Sequence, residues 1–255
     1  IKGMTGISQI SAGESHALAL DREGNIWSWG GNTYGQLGYE GSGANVPQKI
    51  QGISDVQTIN TKYNHNLAIA DGKLYGWGDN SSNQLGLGTD APDKIMEPTN
   101  IQIPATWTLD QIQSGRRHSA LMGYREDGVD NVAVICMGDN SQGQTIENAV
   151  EPTLCTTFEG SIADCQLYAA GDRTVAIQRT ERDGNKVWLR GSDWHYTEDS
   201  DFAEYGICYE EILALGNENT VTLYEAVLSP YVEVFGPSTK MKFSDIDSEP
   251  SKKFL

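Results

Sequence analysis

Short segments of apolar residues recur along the chain, and glycine-rich turns separate them. In Leu18-Ala-Leu20 and Leu67-Ala-Ile69 the larger apolar residues alternate with alanine, and elsewhere apolar residues form patches of four to six, both of which are typical of short β-strands. The dipeptides Glu23-Gly24 and Asp71-Gly72 follow such segments, and dipeptides of this kind favour β-hairpin turns. The pattern therefore predicts an all-β fold built from short antiparallel strands.

The strand pattern belongs to an internal repeat of roughly 50 residues, a period typical of propellers and solenoids. A glycine follows the third predicted strand of each copy, at Gly30, Gly78, Gly138, Gly191 and Gly236. The copies cover residues 7–53, 56–104, 109–158, 165–205 and 207–236, and residues 237–255 form a polar C-terminal tail. The fourth and fifth copies have diverged most.

Each copy predicts one four-stranded blade, and a single blade cannot bury both of its faces. Radial stacking of the blades buries these faces, so we predict a β-propeller of about five blades. Prolines at Pro47, Pro98 and Pro152 fall in the fourth strand, which suits the edge of a sheet. Residues 1–7 match residues 50–56. We therefore expect the N-terminal strand, residues 1–6, to complete the last blade and close the ring. The alternative is that upstream sequence is missing and the ring is larger.

Three motifs of the first copy recur in the second copy and, in part, in the third. They are Gly13-x-x-His16, Trp29-Gly30-x-Asn32 and Gly35-Gln36-Leu37-Gly38. Together they resemble the repeat of the regulator of chromosome condensation family. The founding member of this family is a seven-bladed guanine-nucleotide exchange factor for the Ran small GTPase. The short, acidic and degenerate chain most resembles the bacterial effector branch of the family. The photoreceptor of this family contains a Gly-Trp-Arg-His-Thr series. The nearest match in this chain, Gly115-Arg-Arg-His-Ser119, lacks the tryptophan.

The resemblance implies that the chain binds a Ran-type small GTPase and acts as a guanine-nucleotide exchange factor or activator. The alternative is an adaptor or inhibitor propeller with a partner other than a GTPase. A glycosidase would need two facing carboxylates, and the loops show no such pair and no nucleophile motif. We therefore expect no bond-making chemistry and no cofactor or metal.

The composition narrows the class of partner. The formal net charge is -17, which argues against nucleic acid and is compatible with a basic protein partner. No apolar run approaches the ~20 residues that cross a bilayer, so no membrane segment is expected. The four cysteines form no CxxC pair, which favours free thiols in a reducing, cytoplasmic compartment, host cytoplasm included. We expect a monomer.

Candidate binding residues are those that vary from copy to copy beside the repeated glycine, histidine and asparagine. Equivalent loops of successive blades should ring one rim, where binding residues concentrate, and the mixture of aromatic and charged side chains resembles interface anchors. These residues are Glu14, Tyr34, Tyr63, Asn64, Arg116, Arg117, Asp172, Arg173, Asp193, Trp194, His195 and Tyr196. An acidic segment from Trp194 to Tyr205 could offer carboxylates to the partner. We expect His16, His65 and His118, which share one repeat position, to be structural.

Overall fold

The computed structural model describes residues 4–104, 106–125, 131–179, 185–191, 207–208 and 213–215. Their strands form four antiparallel sheets, each built from one continuous stretch of the chain with its strands in sequence order. The described part is therefore an all-β propeller with four blades, which confirms the predicted fold class. Apart from Ile207–Cys208 and Leu213–Leu215, the fifth copy of the predicted repeat lies outside the described residues.

The blades are defined by the following strands. The first contains β1 (Ile7–Ala12), β2 (His16–Asp21), β3 (Ile26–Gly31) and β4 (Gly43–Lys49). The second contains β5 (Val56–Thr61), β6 (His65–Ala70), β7 (Lys73–Asp79) and β8 (Lys94–Ile101). The third contains β9 (Thr108–Ser114), β10 (His118–Tyr124), β11 (Val132–Gly138) and β12 (Ala149–Phe158). The fourth contains β13 (Cys165–Ala170), β14 (Arg173–Gln178), β15 (Asn185–Gly191), β16 (Ile207–Cys208) and β17 (Leu213–Leu215), and a single 3-10 turn (Ile162–Asp164) precedes it.

The first strand of each blade lies next to the propeller axis. Strand β1 contacts β5, β5 contacts β9, and β9 contacts β13. The predicted prolines lie in β4, β8 and β12, the strands at the opposite edge of each sheet. The axis is therefore lined by β1, β5, β9 and β13, and the proline-containing strands form the outer wall.

The hydrophobic core lies between the blades. Ile59, Ile112 and Leu167 occupy equivalent positions of β5, β9 and β13, and each is at most 4% exposed because it packs against the preceding blade. Ile10 has the same position in β1 but is 76% exposed. Stacking therefore buries both faces of the middle blades, and no described residue covers this face of the first blade.

The glycine that ends each third strand is required by a close backbone approach. Gly30, Gly78, Gly138 and Gly191 have φ values between +104° and +117°. A Cβ at any of them would lie 2.0–2.6 Å from a carbonyl oxygen of the facing β1–β2 turn or its equivalent, closer than real Cβ contacts allow. The repeated glycine therefore fixes where the third strand meets the second.

The fourth blade extends further along the chain than the sequence pattern predicted. Strands β16 and β17 both pair with β15, although the repeat boundaries placed residues 207–236 in a fifth copy. The two short segments together form the outer strand of the fourth blade, so Ile207–Cys208 and Leu213–Leu215 belong with that blade. No helix in the described residues is long and apolar enough to cross a membrane.

Candidate functional site

One rim of the propeller carries two sets of loops. The start of each second strand pairs with the end of the third, as in His16 with Gly30 and His65 with Gly78. The turns between the first and second strands (13–15, 62–64, 115–117 and 171–172) therefore lie beside the loops between the third and fourth strands (32–42, 80–93 and 139–148). We call these the inner turns and the outer loops of the loop-bearing rim.

The repeated histidines join neighbouring blades just below the inner turns. Nε2 of His16 lies 2.7 Å from Oδ1 of Asn66 in the next blade. His65 makes the same contact with the Ser119 hydroxyl, at 3.0 Å, and His118 with the Thr174 hydroxyl, at 2.8 Å. We call each of these contacts a histidine clasp. The prediction that the histidines are structural agrees with these buried contacts.

In the two clasps with a hydroxyl partner, a further hydrogen bond from that hydroxyl fixes which atom of the histidine ring carries a hydrogen. Ser119 donates its only hydroxyl hydrogen to the Gln84 carbonyl at 2.6 Å, and Thr174 donates to the Gln144 carbonyl at 2.9 Å. Each hydroxyl must therefore accept from the histidine, so that Nε2 carries a hydrogen. Burial lowers the pKa of His65 and of His118 to about 3, which makes the neutral ring with its hydrogen on Nε2 the expected form.

The outer loops are braced from within. In the first blade, Oδ1 of Asn32 accepts from the Leu37 amide at 2.9 Å, and Oε1 of Gln36 accepts from the Tyr34 amide at 2.8 Å. The second and third blades repeat both contacts through Asn80, Gln84, Asn140 and Gln144. The Asn and Gln of the repeat therefore hold the loop backbone, and the variable positions between them are presented on a rigid frame.

Six of the predicted binding residues lie on this rim with at least partly accessible side chains. Glu14, Tyr34 and Arg117 are exposed, whereas Tyr63, Asn64 and Arg116 are half-buried. Asn64 donates to the Glu14 carboxylate at 2.9 Å. The Arg116 guanidinium lies 5.8 Å from the centre of the Tyr63 ring, within the range of a cation–π contact. The structure thus brings charged and aromatic side chains of three blades together around the axis.

The fourth blade differs from the sequence alignment by one residue. Arg173 pairs with Gly191 and so takes the place of the histidine, and Thr174 takes the place of Asn66 and Ser119. The turn residues equivalent to Arg116 and Arg117 are Gly171 and Asp172, not Asp172 and Arg173. Asp172 is 3% exposed, so its side chain is less accessible than the prediction assumed.

The remaining predicted residues cannot be placed on the rim. Asp193, Trp194, His195 and Tyr196, and the acidic segment that begins with them, lie outside the described residues. Sequence reasoning also passed over Lys62, which stands at the inner turn where the first and third copies have Gly13 and Gly115. Its departure from the repeat was the available signal.

The fold and rim define the class as a repeat β-propeller with a loop-bearing face suited to binding. Residues 7–36 match one model of the regulator of chromosome condensation (RCC1) repeat, and residues 23–69 and 71–122 match another. The chain therefore contains RCC1 repeats over residues 7–69 and 71–122.

The curated relatives of the chain are named as different classes of protein. The ultraviolet-B receptor UVR8 of Arabidopsis thaliana is 36% identical over 49% of this chain and 29% of its own length. The human probable E3 ubiquitin-protein ligase HERC6 is 31% identical over 64% of this chain and 16% of its own. The yeast (Saccharomyces cerevisiae) guanine nucleotide exchange factor SRM1 is 30% identical over 48% of this chain and 27% of its own. The chain thus spans less than a third of each.

Two solved structures support the propeller fold. Human WBSCR16 superposes with a TM-score of 0.60 at 22% identity, over 76% of this chain and 50% of that one. Prp20p of Saccharomyces cerevisiae, described with its binding properties to Gsp1p and histones, superposes with a TM-score of 0.56 at 21% identity, over 74% of this chain and 47% of that one. At these identities the likeness is one of fold.

Proposed function

We propose that the chain is a protein-binding propeller that docks its partner on the loop-bearing rim, and that this partner is a Ran-type small GTPase whose nucleotide exchange it accelerates. The observation that carries the proposal is the match of the RCC1 repeats to the exchange factor SRM1. Within this proposal the chain works in a cytoplasm, and in that of a host cell if it belongs to the bacterial effector branch.

The rim supports a binding role. Its framework residues are buried and hydrogen-bonded, whereas Glu14, Tyr34 and Arg117 project from it. A partner would therefore meet a surface that is already ordered, which lowers the entropic cost of association. The net charge of -17 would attract a basic partner over a distance of about one Debye length, ~8 Å at physiological salt.

Exchange on this rim requires no bond-making group. A propeller that binds the nucleotide-free GTPase more tightly than the nucleotide-bound form weakens nucleotide binding by the same factor. Release is faster when the same contacts already form in the transition state for nucleotide departure. The rim needs only to hold the GTPase while nucleotide leaves.

The second candidate is an adaptor or inhibitor propeller with another protein partner. UVR8 is named as a receptor and HERC6 as a probable ligase. The similarity of the chain to these proteins favours the second candidate, because neither is named as an exchange factor. It shares the rim with the first candidate and differs in the identity of the partner.

The test is release of a fluorescent GDP analogue from Ran, with Rab, Rho, Ras and Rap proteins as controls and with catalytic amounts of the chain. We expect acceleration on the Ran-type GTPase and its loss in Arg116→Glu, which reverses a charge of the rim. Lys73→Glu is the matched control because Lys73 lies in the β6–β7 hairpin at the opposite rim and is largely exposed.

The outcomes separate the two candidates. Acceleration that depends on Arg116 and not on Lys73 would support the exchange function. No acceleration by the folded chain would refute it, and a pull-down from eukaryotic lysate, with the same two variants, would then test the adaptor function.

A further inference from the structure

Lys62 brings a cation to the axis on the loop-bearing rim. It occupies the inner-turn position where the other blades have Gly13, Gly115 and Ala170. Its Nζ donates to the carbonyl of Ala169, which lies two blades away in β13. Because the side chain spans from the second blade to the fourth, its ammonium must lie over the mouth of the axis.

Arg116 adds a second cation beside this mouth. Its amide donates to the Gly171 carbonyl at 2.7 Å, which fixes the turn against the fourth blade. Its guanidinium lies over the Tyr63 ring, which belongs to the same turn as Lys62. The neighbouring Arg117 is directed outward instead, where its guanidinium pairs with the Asp139 carboxylate at 2.8 Å.

Charge on the rim is segregated between the inner turns and the outer loops. The inner turns of the second and third blades, residues 62–64 and 115–117, contain no carboxylate, and their cations at the mouth of the axis are Lys62 and Arg116, since Arg117 pairs with Asp139. Among the other inner turns, the Glu14 carboxylate accepts from Asn64, and Asp172 is buried. The outer loops and their flanks carry one cation, Lys94, which donates to the Thr33 carbonyl at 2.8 Å, and the carboxylates Glu40, Asp79, Asp90, Asp93, Asp139 and Glu147. Lys62 and Arg116 are thus flanked by predominantly acidic outer loops in a protein of net charge -17.

We propose that Lys62 and Arg116 form a carboxylate-binding socket at the mouth of the axis, which receives an acidic projection of a protein partner whose flanking surface is basic. The flanking basic residues of the partner would face the acidic outer loops. Net charge alone would not predict this partner, because the net negative charge of the whole protein repels an acidic segment that has no basic flanks. The inference rests on the proposed docking of a protein partner on this rim, and it names the chemistry that the rim recognises.

The geometry favours a carboxylate of a partner over a free anion. The Lys62 ammonium already donates to one carbonyl, and burial lowers its pKa. An incoming carboxylate would bind the remaining hydrogens of the ammonium in a partly desolvated setting, where charge-assisted hydrogen bonds are strong. A free phosphate would gain the same contact but nothing from the acidic surround, which would oppose it.

Two labelled octapeptides of identical composition test the socket. The first has Asp-Glu at its centre and two lysines at each end, and the second has the acidic residues at its ends and the lysines inside. Binding is followed by fluorescence anisotropy at low ionic strength, with inorganic phosphate as a competitor. The variants are Lys62→Met, which keeps the unbranched stem, Lys62→Arg, which keeps the charge, Arg116→Gln, and Lys73→Met as the control at the opposite rim.

We expect tighter binding of the first peptide, and at least about tenfold weaker binding in Lys62→Met, the factor for losing a charge-assisted hydrogen bond. Arg116→Gln should also weaken binding, Lys62→Arg should retain most of it, and Lys73→Met should leave it unchanged. Equal binding of the two peptides, no measurable binding of either, or Lys62-dependent binding of phosphate alone would each overturn the proposal. Circular dichroism of each variant establishes that it is folded. Peptide binding without Ran exchange would leave the socket standing and refute the exchange function alone.

Discussion

Acidification should destabilise the propeller through its histidine clasps. His65 and His118 are fully buried, and burial lowers the pKa of each to about 3 from an ordinary value of 6.5. The unfolded chain therefore binds more protons than the folded chain between these two values. The stabilising contribution of each neutral ring is complete above pH 6.5 and is lost progressively as the pH falls toward 3.

The size of the effect follows from the two pKa values. Between pH 7.5 and pH 5 each histidine should remove about 2 kcal/mol from the free energy of unfolding. The two rings together remove about 4 kcal/mol, a large part of the 5–15 kcal/mol typical of a folded protein. Burial also lowers the pKa of His16, so its contribution has the same sign.

The assay is urea unfolding at pH 7.5 and at pH 5 of the wild-type chain, of His65→Gln and of His118→Gln. Glutamine keeps a donor for Ser119 or Thr174 but does not titrate, so each variant should lose about 2 kcal/mol less on acidification than the wild-type chain. Carboxylates titrate alike in all three proteins, and the difference between them isolates the imidazole. Equal losses in the wild-type chain and the variants would refute the assignment of these rings as buried and neutral.

Other substitutions test the framework. Gly138→Ala should lower the free energy of unfolding by more than about 2 kcal/mol, because its Cβ would lie 2.6 Å from a backbone carbonyl oxygen at positive φ. Gly72→Ala has open space around it and should lower the free energy of unfolding by about 1 kcal/mol. Urea unfolding measures both values. His65→Ala should lower the melting temperature without selectively removing partner binding, and a stable variant without affinity would contradict this. Deletion of residues 1–6 should lower the melting temperature by several degrees if they pair with the last blade, and an unchanged value would place the closure elsewhere.

Much of the fold could be predicted from the sequence because the repeat repeats its physical requirements. The glycine after the third strand is required by a carbonyl that approaches it in every described blade. The histidine could be assigned a structural role because it recurs, but its partner could not be identified. Asn66, Ser119 and Thr174 have different side chains, and only the stacking of the blades reveals that they share one position.

The one-residue difference in the fourth blade has a local cause. Gly171 resembles Gly13 and Gly115 in sequence, but it has a φ of +58° and belongs to the turn itself. Gly13 and Gly115 are the first residues of their turns, one position earlier, and each lies against a histidine ring, so that a Cβ would be 2.2 Å and 1.9 Å from its Cε1 atom. A glycine is required at one position by positive φ and at the other by a close histidine ring. The sequence pattern is the same in both cases and does not distinguish them. The cation of Lys62 escaped prediction because its partner lies two blades away.

The histidine clasps also give the stack of blades a direction. Each clasp runs from a histidine to the polar residue that follows the equivalent position in the next blade, and Ala17 is the residue at that acceptor position in the first blade. A second copy of residues 56–104 inserted after the original would therefore find a partner on each side, His65 to Asn66 and His65 to Ser119. A second copy of the first blade inserted there would present Ala17 and leave the imidazole before it without an acceptor. Duplication of a blade should therefore be best tolerated in those orders that keep every imidazole facing a polar side chain, because an unpaired buried donor costs about 1–3 kcal/mol.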